Sequence, residues 1–151
     1  MQAVQHPPQG HPAILDVEEI DRATCLSLLA SQPFGRLAVI HEGYPEIYPV
    51  NYRLDGERIV IRSTKGAKLA HASLDRVAFE VDAYDEAAGR GWSVLAKGTA
   101  RDITTAIDAA SERERQLALE PFGTEVGHHW VRIAIHQLSG RRFRRLDTVD
   151  A

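Results

Sequence analysis

Residues 36–62 read RLAVIHEGYPEIYPVNYRLDGERIVIR, and this segment carries the strongest signal for the type of fold. It contains three short runs that are rich in β-branched and aromatic residues, namely 36–41, 46–54 and 58–62. The first two runs are separated by Glu-Gly-Tyr-Pro, and the last two by Asp55-Gly56, a dipeptide typical of hairpin turns. The stretch therefore predicts three antiparallel strands in a meander.

Pro49 interrupts the second of these runs. Because proline has no N–H to donate to a neighbouring strand, we expect it at a sheet edge or at a bulge. Backbone groups in such a position are left free for a ligand.

Strand-like runs continue towards the C-terminus, at residues 76–84, 92–102 and 130–138, the last extended by 141–146. Gly98 marks a candidate bulge in the second of them. The strands follow one another without crossover helices, so a parallel sheet has no connections. The sequence therefore predicts a mainly β fold, a closed barrel of six antiparallel strands with short flanking helices.

Three helices are expected around this barrel. Val17, Ile20, Thr24 and Leu28 recur at helical spacing after Asp16, a suitable N-cap, which predicts a helix that ends before Pro33. Residues 67–73 predict a short second helix. A capping box at Thr105 and Asp108 predicts a third, which continues to Leu119 and is stopped by Pro121. We expect one domain over residues 16–146, between flexible tails at 1–15 and 147–151.

Composition limits the function classes. The chain has 151 residues, of which 44% are hydrophobic, and this suits one core. Its net charge of -3 gives no overall field that would attract nucleic acid or an anionic membrane. No apolar run reaches the length of a membrane span, and the single Cys25 cannot form an internal disulfide. These features predict a soluble cytoplasmic protein that binds neither nucleic acid nor membrane.

The segment IVIRSTKGAKL at residues 59–69 is the most suggestive for chemistry. Arg62 ends a predicted strand, Ser63 and Thr64 supply hydroxyls in the turn, and Lys68 lies in the first turn of a helix. An arginine fork, a lysine and helix N–H groups suit a phosphate. On spacing alone, an ordinary basic surface turn explains the segment equally well, because it is not a Walker A sequence.

Five segments occur in the order found in one family. They are Gly35-Arg36-Leu37-Ala38, residues 45–52 (PEIYPVNY), residues 61–69 (IRSTKGAKL), residues 77–82 (VAFEVD) and Gly91-Trp92-Ser93-Val94. In these segments, over roughly residues 16–146, the chain resembles the pyridoxamine 5′-phosphate oxidase-like family of FMN-binding split barrels. The resemblance implies a six-stranded split β-barrel that forms a homodimer.

The resemblance also implies roles for individual residues. Arg62 and Lys68 would bind the flavin phosphate with help from Ser63 and Thr64, and Ile61 would lie along the isoalloxazine ring. The Pro-Val-Asn-Tyr strand would lie along the same ring, through Pro49, Val50, Asn51 and Tyr52. The cofactor would lie in a groove between subunits, where the partner would add Trp92, Ser93 and Trp130. For both tryptophans, packing in the core or an interface is an equally good reading.

One departure bears on the substrate. The C-terminal segment Gly140-Arg141-Arg142-Phe143-Arg144-Arg145 lacks the Arg-x-His-Asp pattern that would help hold the substrate in true pyridoxamine phosphate oxidases. Pyridoxamine phosphate is therefore disfavoured as the substrate.

The resemblance leaves the cofactor and the activity open. Similar proteins use FMN, FAD or the deazaflavin F420, with FMN the first expectation here, and some bind haem. His71 is a candidate haem ligand, although an exposed helix histidine is the simpler reading, and no metal-ligand spacing is present. The expected function is a flavin- or F420-dependent oxidoreductase that acts on a small molecule, and the alternative is a non-catalytic flavin- or haem-binding protein for storage or sensing.

Overall fold

The computed structural model describes residues 14–63, 76–121 and 129–146. Its elements, in chain order, are β1 (Ile14–Ile20), α1 (Arg22–Ser31), β2 (Phe34–His41), β3 (Tyr44–Asp55), β4 (Arg58–Ser63), β5 (Arg76–Asp85), β6 (Arg90–Asp102), α2 (Ala109–Glu114) and β7 (His129–Leu146). The predicted helix at 67–73 lies outside the described residues.

The strands form one antiparallel sheet in the order β1-β7-β4-β3-β2-β5-β6, and β6 also pairs with β7. Strands β2 to β7 therefore close into a six-stranded ring. This confirms the predicted mainly β split barrel. The long strand β7 makes the closure possible, because β4 pairs with its first half and β1 with its second half on one side, while β6 runs along the other side.

Strand β1 corrects the prediction of a helix from Asp16. Residues 14–20 pair with β7, with Val17 opposite Phe143 and Ile20 opposite Gly140. Helix α1 begins only at Arg22, and its N-cap is Asp21, whose Oδ1 accepts the Thr24 N–H at 2.7 Å. The apolar residues at helical spacing belong to two elements, β1 and α1, so their spacing was a coincidence. Residues 14–20 form a strand because pairing with the distant β7 satisfies their backbone hydrogen bonds.

The core fills the inside of the ring with alternate residues of each strand. Tyr52 and Phe79 meet there edge to face, with ring centroids 4.8 Å apart. Helix α1 closes one end of the core with Cys25 and Leu29, both buried. The helix therefore covers one end of the core. This leaves the outer face of the ring available for other segments to pack on.

Gly98 marks the bulge that the sequence predicts. The register between β6 and β7 shifts between Lys97 and Gly98. A Cβ on Gly98 would lie 2.0 Å from the carbonyl oxygen of Ala134, which no side chain tolerates. Glycine is therefore required where the two strands approach most closely.

Helix α2 is shorter than predicted. It spans Ala109–Glu114, and Asp108 rather than Thr105 is its N-cap, with Oδ1 accepting the Ser111 N–H at 2.9 Å. Residues 115–121, here called the strap, leave the helix through two turns in which Leu117 N–H donates to the Glu114 carbonyl at 3.1 Å. The strap then runs along the outside of the barrel.

Candidate functional site

The predicted phosphate-binding residues at the end of β4 lie on opposite faces of the strand. Ile61 pairs with Val131 and is fully buried inside the ring, and Ser63 pairs with His129 on the same side. Arg62 lies between them and pairs with Trp130, on the outer face. Neighbouring residues of a strand point to opposite sides, so Arg62 and Ser63 leave the strand in different directions.

The guanidinium of Arg62 is held on two sides. Its Nη1 donates to the Leu119 carbonyl in the strap at 3.1 Å, and its Cζ lies 5.3 Å from the centroid of the Trp130 ring. Its Nε is buried and has no hydrogen-bond partner within the described residues. A buried donor without a partner is costly, so this N–H marks a position where a ligand atom would be favourable.

Asn51 lies next to Arg62 on the same outer face. The last pair between β3 and β4 is Tyr52 with Ile61, so the next position along places Asn51 beside Arg62. Its Nδ2 donates to the Glu120 carbonyl in the strap at 3.3 Å. The strap thus touches two of the predicted site residues through successive main-chain carbonyls.

The edge of β3 next to this point is open. Residues Tyr44–Asn51 pair with β2 on one side, and within the described ranges no strand pairs with their other side. Pro49 lies in this part and is exposed, which agrees with the predicted edge position. Val50 and Tyr52 point into the core instead, so a ligand along this edge would meet their backbone and not their side chains.

A second polar cluster lies at the same rim of the barrel. His129 Nδ1 lies 3.2 Å from Asp102 Oδ2, and the Thr104 hydroxyl and N–H donate to Asp102 Oδ1 at 2.5 and 2.8 Å. Burial tends to raise the pKa of Asp102, but the bonds from Thr104 and His129 outweigh it and hold that pKa below its usual value. The Thr104 hydroxyl accepts the Trp130 N–H at 3.0 Å, so this cluster fixes the strand beneath Arg62.

Helix α2 is attached to the outer face by charges. The Glu114 side chain is fully buried, with Oε2 accepting from Arg132 Nη1 at 3.2 Å and Oε1 lying 3.2 Å from Arg58 Nε without an aligned hydrogen bond. Burial and a hydrogen bond with Asp55 raise the pKa of Glu114. Asp55 has its own pKa lowered, chiefly by a hydrogen bond from Arg113. The cluster contains more positive than negative groups and binds the helix to β3, β4 and β7.

Trp92 and Ser93 lie far from Arg62 within one chain. Trp92 pairs with Arg142, near the far end of β7 from Trp130. It lines an open groove of about 720 Å3 together with Arg90, Arg142 and Arg144. The structure therefore brings together Asn51, Arg62 and Trp130, and it does not bring Trp92 or Ser93 to them within one subunit.

Three predicted residues, Thr64, Lys68 and His71, lie outside the described residues. Among the residues that are described, no group of three or more His, Cys, Asp and Glu side chains is placed to hold a metal ion. None of the described helices combines the length and hydropathy needed to cross a membrane.

A family model described as pyridoxamine 5′-phosphate oxidase matches residues 21–142, which include the whole barrel from α1 to the second half of β7. The chain belongs to the pyridoxamine 5′-phosphate oxidase family. The predicted family is therefore confirmed.

Several known proteins are similar to this chain over more than half of its length. An FAD-binding protein from Mycobacterium smegmatis is 31% identical, with a TM-score of 0.69 over 83% of this chain and 97% of that one. A putative pyridoxamine 5′-phosphate oxidase from Corynebacterium glutamicum is 28% identical, with a TM-score of 0.73 over 87% and 96% of the two chains. An uncharacterized protein from Mycobacterium tuberculosis is 35% identical over 95 residues, 59% of this chain and 62% of that protein's length.

Sequence reasoning missed the strap in this member of the pyridoxamine 5′-phosphate oxidase family. Leu119 and Glu120 act through main-chain carbonyls, and a carbonyl carries no signature of residue type. Glu114 was also missed, because a glutamate in a Glu/Arg-rich helix is normally exposed. Only its burial against Arg58 and Arg132 distinguishes it.

Proposed function

We propose that this protein binds a flavin nucleotide, with a phosphate of the cofactor held by Arg62 and by Lys68 from the segment that follows β4. The observation that carries the proposal is the buried Arg62 Nε without a hydrogen-bond partner in the described part of the chain. The fork edge formed by Nε and Nη2 suits two oxygens of one phosphate, while Nη1 is already held by Leu119.

Charge supports an anion at this position. No carboxylate of the described residues forms an ion pair with Arg62, whereas Arg36, Arg58, Arg113 and Arg132 all have acidic partners. The Trp130 ring, with its centroid 5.3 Å from the guanidinium carbon, shields one side of this cation from water. A half-buried cation that lacks a countercharge is favourably placed to bind one from a ligand.

The open edge of β3 supports a planar ring next to that phosphate. Among the described residues no strand pairs with the outer side of residues 49–51, immediately beside Arg62, and Pro49 is exposed at this edge. The FAD-binding relative from Mycobacterium smegmatis, at 31% identity, favours a flavin as that ring. FMN, FAD and F420 all carry the phosphate that the proposal requires.

A bound flavin would supply hydride or electron transfer, and the chain's own groups would bind it, orient it and exclude water. We therefore propose an oxidoreductase that acts on a small molecule, in a homodimer whose second subunit contributes Trp92 and Ser93 to the groove. Reduction of the bound flavin by a nicotinamide, or oxidation of reduced F420, would establish catalysis. Binding without any turnover would favour the storage or sensing alternative.

The phosphate site is tested by comparing FMN with riboflavin, which lacks the phosphate. Each charged hydrogen bond contributes about 1.5–3 kcal/mol, so loss of the two bonds from Nε and Nη2 in Arg62→Ala should weaken FMN by about a hundredfold or more and leave riboflavin almost unchanged. Lys68→Ala should act in the same direction. Fluorescence titration measures both affinities.

The matched control is Arg101→Ala, which removes an exposed arginine from β6. It should leave the ratio of FMN to riboflavin affinity at the value of the unaltered protein. If Arg62→Ala also leaves that ratio unchanged in a protein that still unfolds cooperatively, Arg62 does not bind the phosphate.

A further inference from the structure

Glu114 is a buried carboxylate for which the proposed function has no use. It is 0% exposed, and its countercharges Arg58 and Arg132 lie on the outer face of β4 and β7. Arg62 lies two residues after Val60 on β4, and Trp130 lies two residues before Arg132 on β7. Both therefore lie on the same outer face of these two strands. The carboxylate is therefore attached to the surface on which Arg62 lies.

The strap joins these two places. It starts directly after Glu114, at Arg115, whose Nη1 donates to the carbonyls of Ile103 and Ala106 at 2.7 Å each. It reaches the rim at Leu119, which is buried and accepts from Arg62 Nη1. The direction of the Arg62 fork thus depends on where the Leu119 carbonyl lies.

We propose that Glu114 is a positioning residue for Arg62: by binding Arg58 and Arg132 it fixes the strap, and the Leu119 carbonyl then aims the Nε edge of Arg62 at the cofactor phosphate. This inference rests on the proposed function and deepens it. It assigns to α2, at the other end of the strap from the Leu119 carbonyl that binds Arg62, a share of the affinity for phosphate.

Direct electrostatics would act in the opposite direction. A negative carboxylate near an anion site weakens anion binding, so removal of its charge would tighten FMN if only the field mattered. Arg58, which lies against Glu114, is four residues from Arg62 on β4, about 13 Å along an extended strand, and the two arginines around the carboxylate offset its charge at that distance. A positioning role predicts weaker binding, and this difference in sign makes the test decisive.

The test is Glu114→Gln, which keeps the shape of the side chain and removes its charge. We expect the FMN dissociation constant to rise about tenfold, in the middle of the range for coupled neighbours, with riboflavin affinity unchanged. The matched control is Glu112→Gln, an exposed carboxylate on the same helix, which should change neither affinity. Equal weakening of FMN and riboflavin, no change, or tighter FMN binding would each overturn the proposal.

A double variant shows whether the effect passes through Arg62. If Glu114 acts only by aiming Arg62, the combination of Glu114→Gln with Arg62→Ala binds FMN no more weakly than Arg62→Ala alone. Additive losses would overturn the proposal. If Glu114→Gln does not fold, Arg58→Gln, which leaves Arg132 on the carboxylate, is judged by the same outcomes with a smaller expected loss.

Failure of this inference differs from failure of the proposed function. If Arg62→Ala lowers the FMN to riboflavin ratio and Glu114→Gln does not, the phosphate site stands and the positioning role is wrong. If Arg62→Ala leaves the ratio unchanged, both are wrong.

Discussion

Tyr52 belongs to the strand segment that the resemblance assigns to the flavin ring, yet its own ring lies inside the barrel. The side chain is 1% exposed, contacts Phe79 edge to face, and donates its hydroxyl to the Leu29 carbonyl. Leu29 lies in the last turn of α1, where carbonyls have no partner within the helix. Tyr52 therefore attaches the helix to the barrel wall.

Replacement of Tyr52 by Phe tests this role. The change leaves the Leu29 carbonyl buried and unpaired, so we expect the free energy of unfolding to fall by about 1–3 kcal/mol. Denaturant unfolding with an unchanged m-value measures it. Flavin affinity of the folded variant should not change, since the hydroxyl faces the core.

Tyr44→Phe on the same strand provides the control, because Tyr44 is 74% exposed. It should alter the stability by no more than a few tenths of a kcal/mol. A Tyr52→Phe protein that is as stable as the Tyr44→Phe protein would contradict the assigned hydrogen bond.

Helix α2 shows how a short element is held in place. With six residues it is too short to be stable alone, so its N-cap and its buried Glu114 must fix it. Asp108 accepts from both the Ser111 N–H and the Ser111 hydroxyl, and these bonds lower its pKa from 3.8 to about 2. Because the folded pKa is depressed, the stability that Asp108 contributes is present above pH 4 and is lost as the pH falls towards 2.

Asp108→Asn should remove this dependence on pH. Asparagine still caps the helix but does not titrate, so the variant should lose less stability between pH 4 and pH 2 than the unaltered protein does. Urea unfolding at several pH values in that window measures the difference. A slope in Asp108→Asn equal to that of the unaltered protein would contradict the cap.

The molecule as a whole separates groups that the resemblance places at one site. Trp92 pairs with Arg142 near the far end of β7, whereas Arg62 pairs with Trp130 at its beginning. Within one barrel the two residues lie beside opposite ends of β7, and Trp92 packs against the core of its own barrel. A second copy of the chain is the simplest way to bring Trp92 next to Arg62, and this is the structural argument for the proposed homodimer.

Complementation between two variants that bind FMN weakly tests the dimer. Sedimentation should first show a particle of twice the 16.7 kDa chain mass. Arg62→Ala and Trp92→Ala homodimers should both bind FMN weakly, and co-refolding them should restore one intact site per mixed dimer. A monomeric protein, or a mixture that binds no better than its components, would exclude a shared site.

Local sequence signals were sufficient to predict the strands of the barrel, and they put the candidate site at the end of one of those strands. Turn dipeptides such as Asp55-Gly56 and the alternation of apolar residues are local signals, and they predicted all six strands of the ring, the bulge at Gly98 and the position of Arg62 at a strand end. These local signals were sufficient to predict the strands, because the two strands of each hairpin lie close together in the chain.

Three features became visible only in the folded chain, namely strand β1, the burial of Glu114 and the hydrogen-bond partner of Arg62. Residues 14–20 are a strand because β7, more than a hundred residues later, offers an unpaired edge, and no local pattern encodes that edge. The Leu119 carbonyl reaches Arg62 across 57 residues of sequence, and every residue type carries such a carbonyl. Interactions of the backbone over long separations are set by the closed barrel, so they become visible only once it has formed.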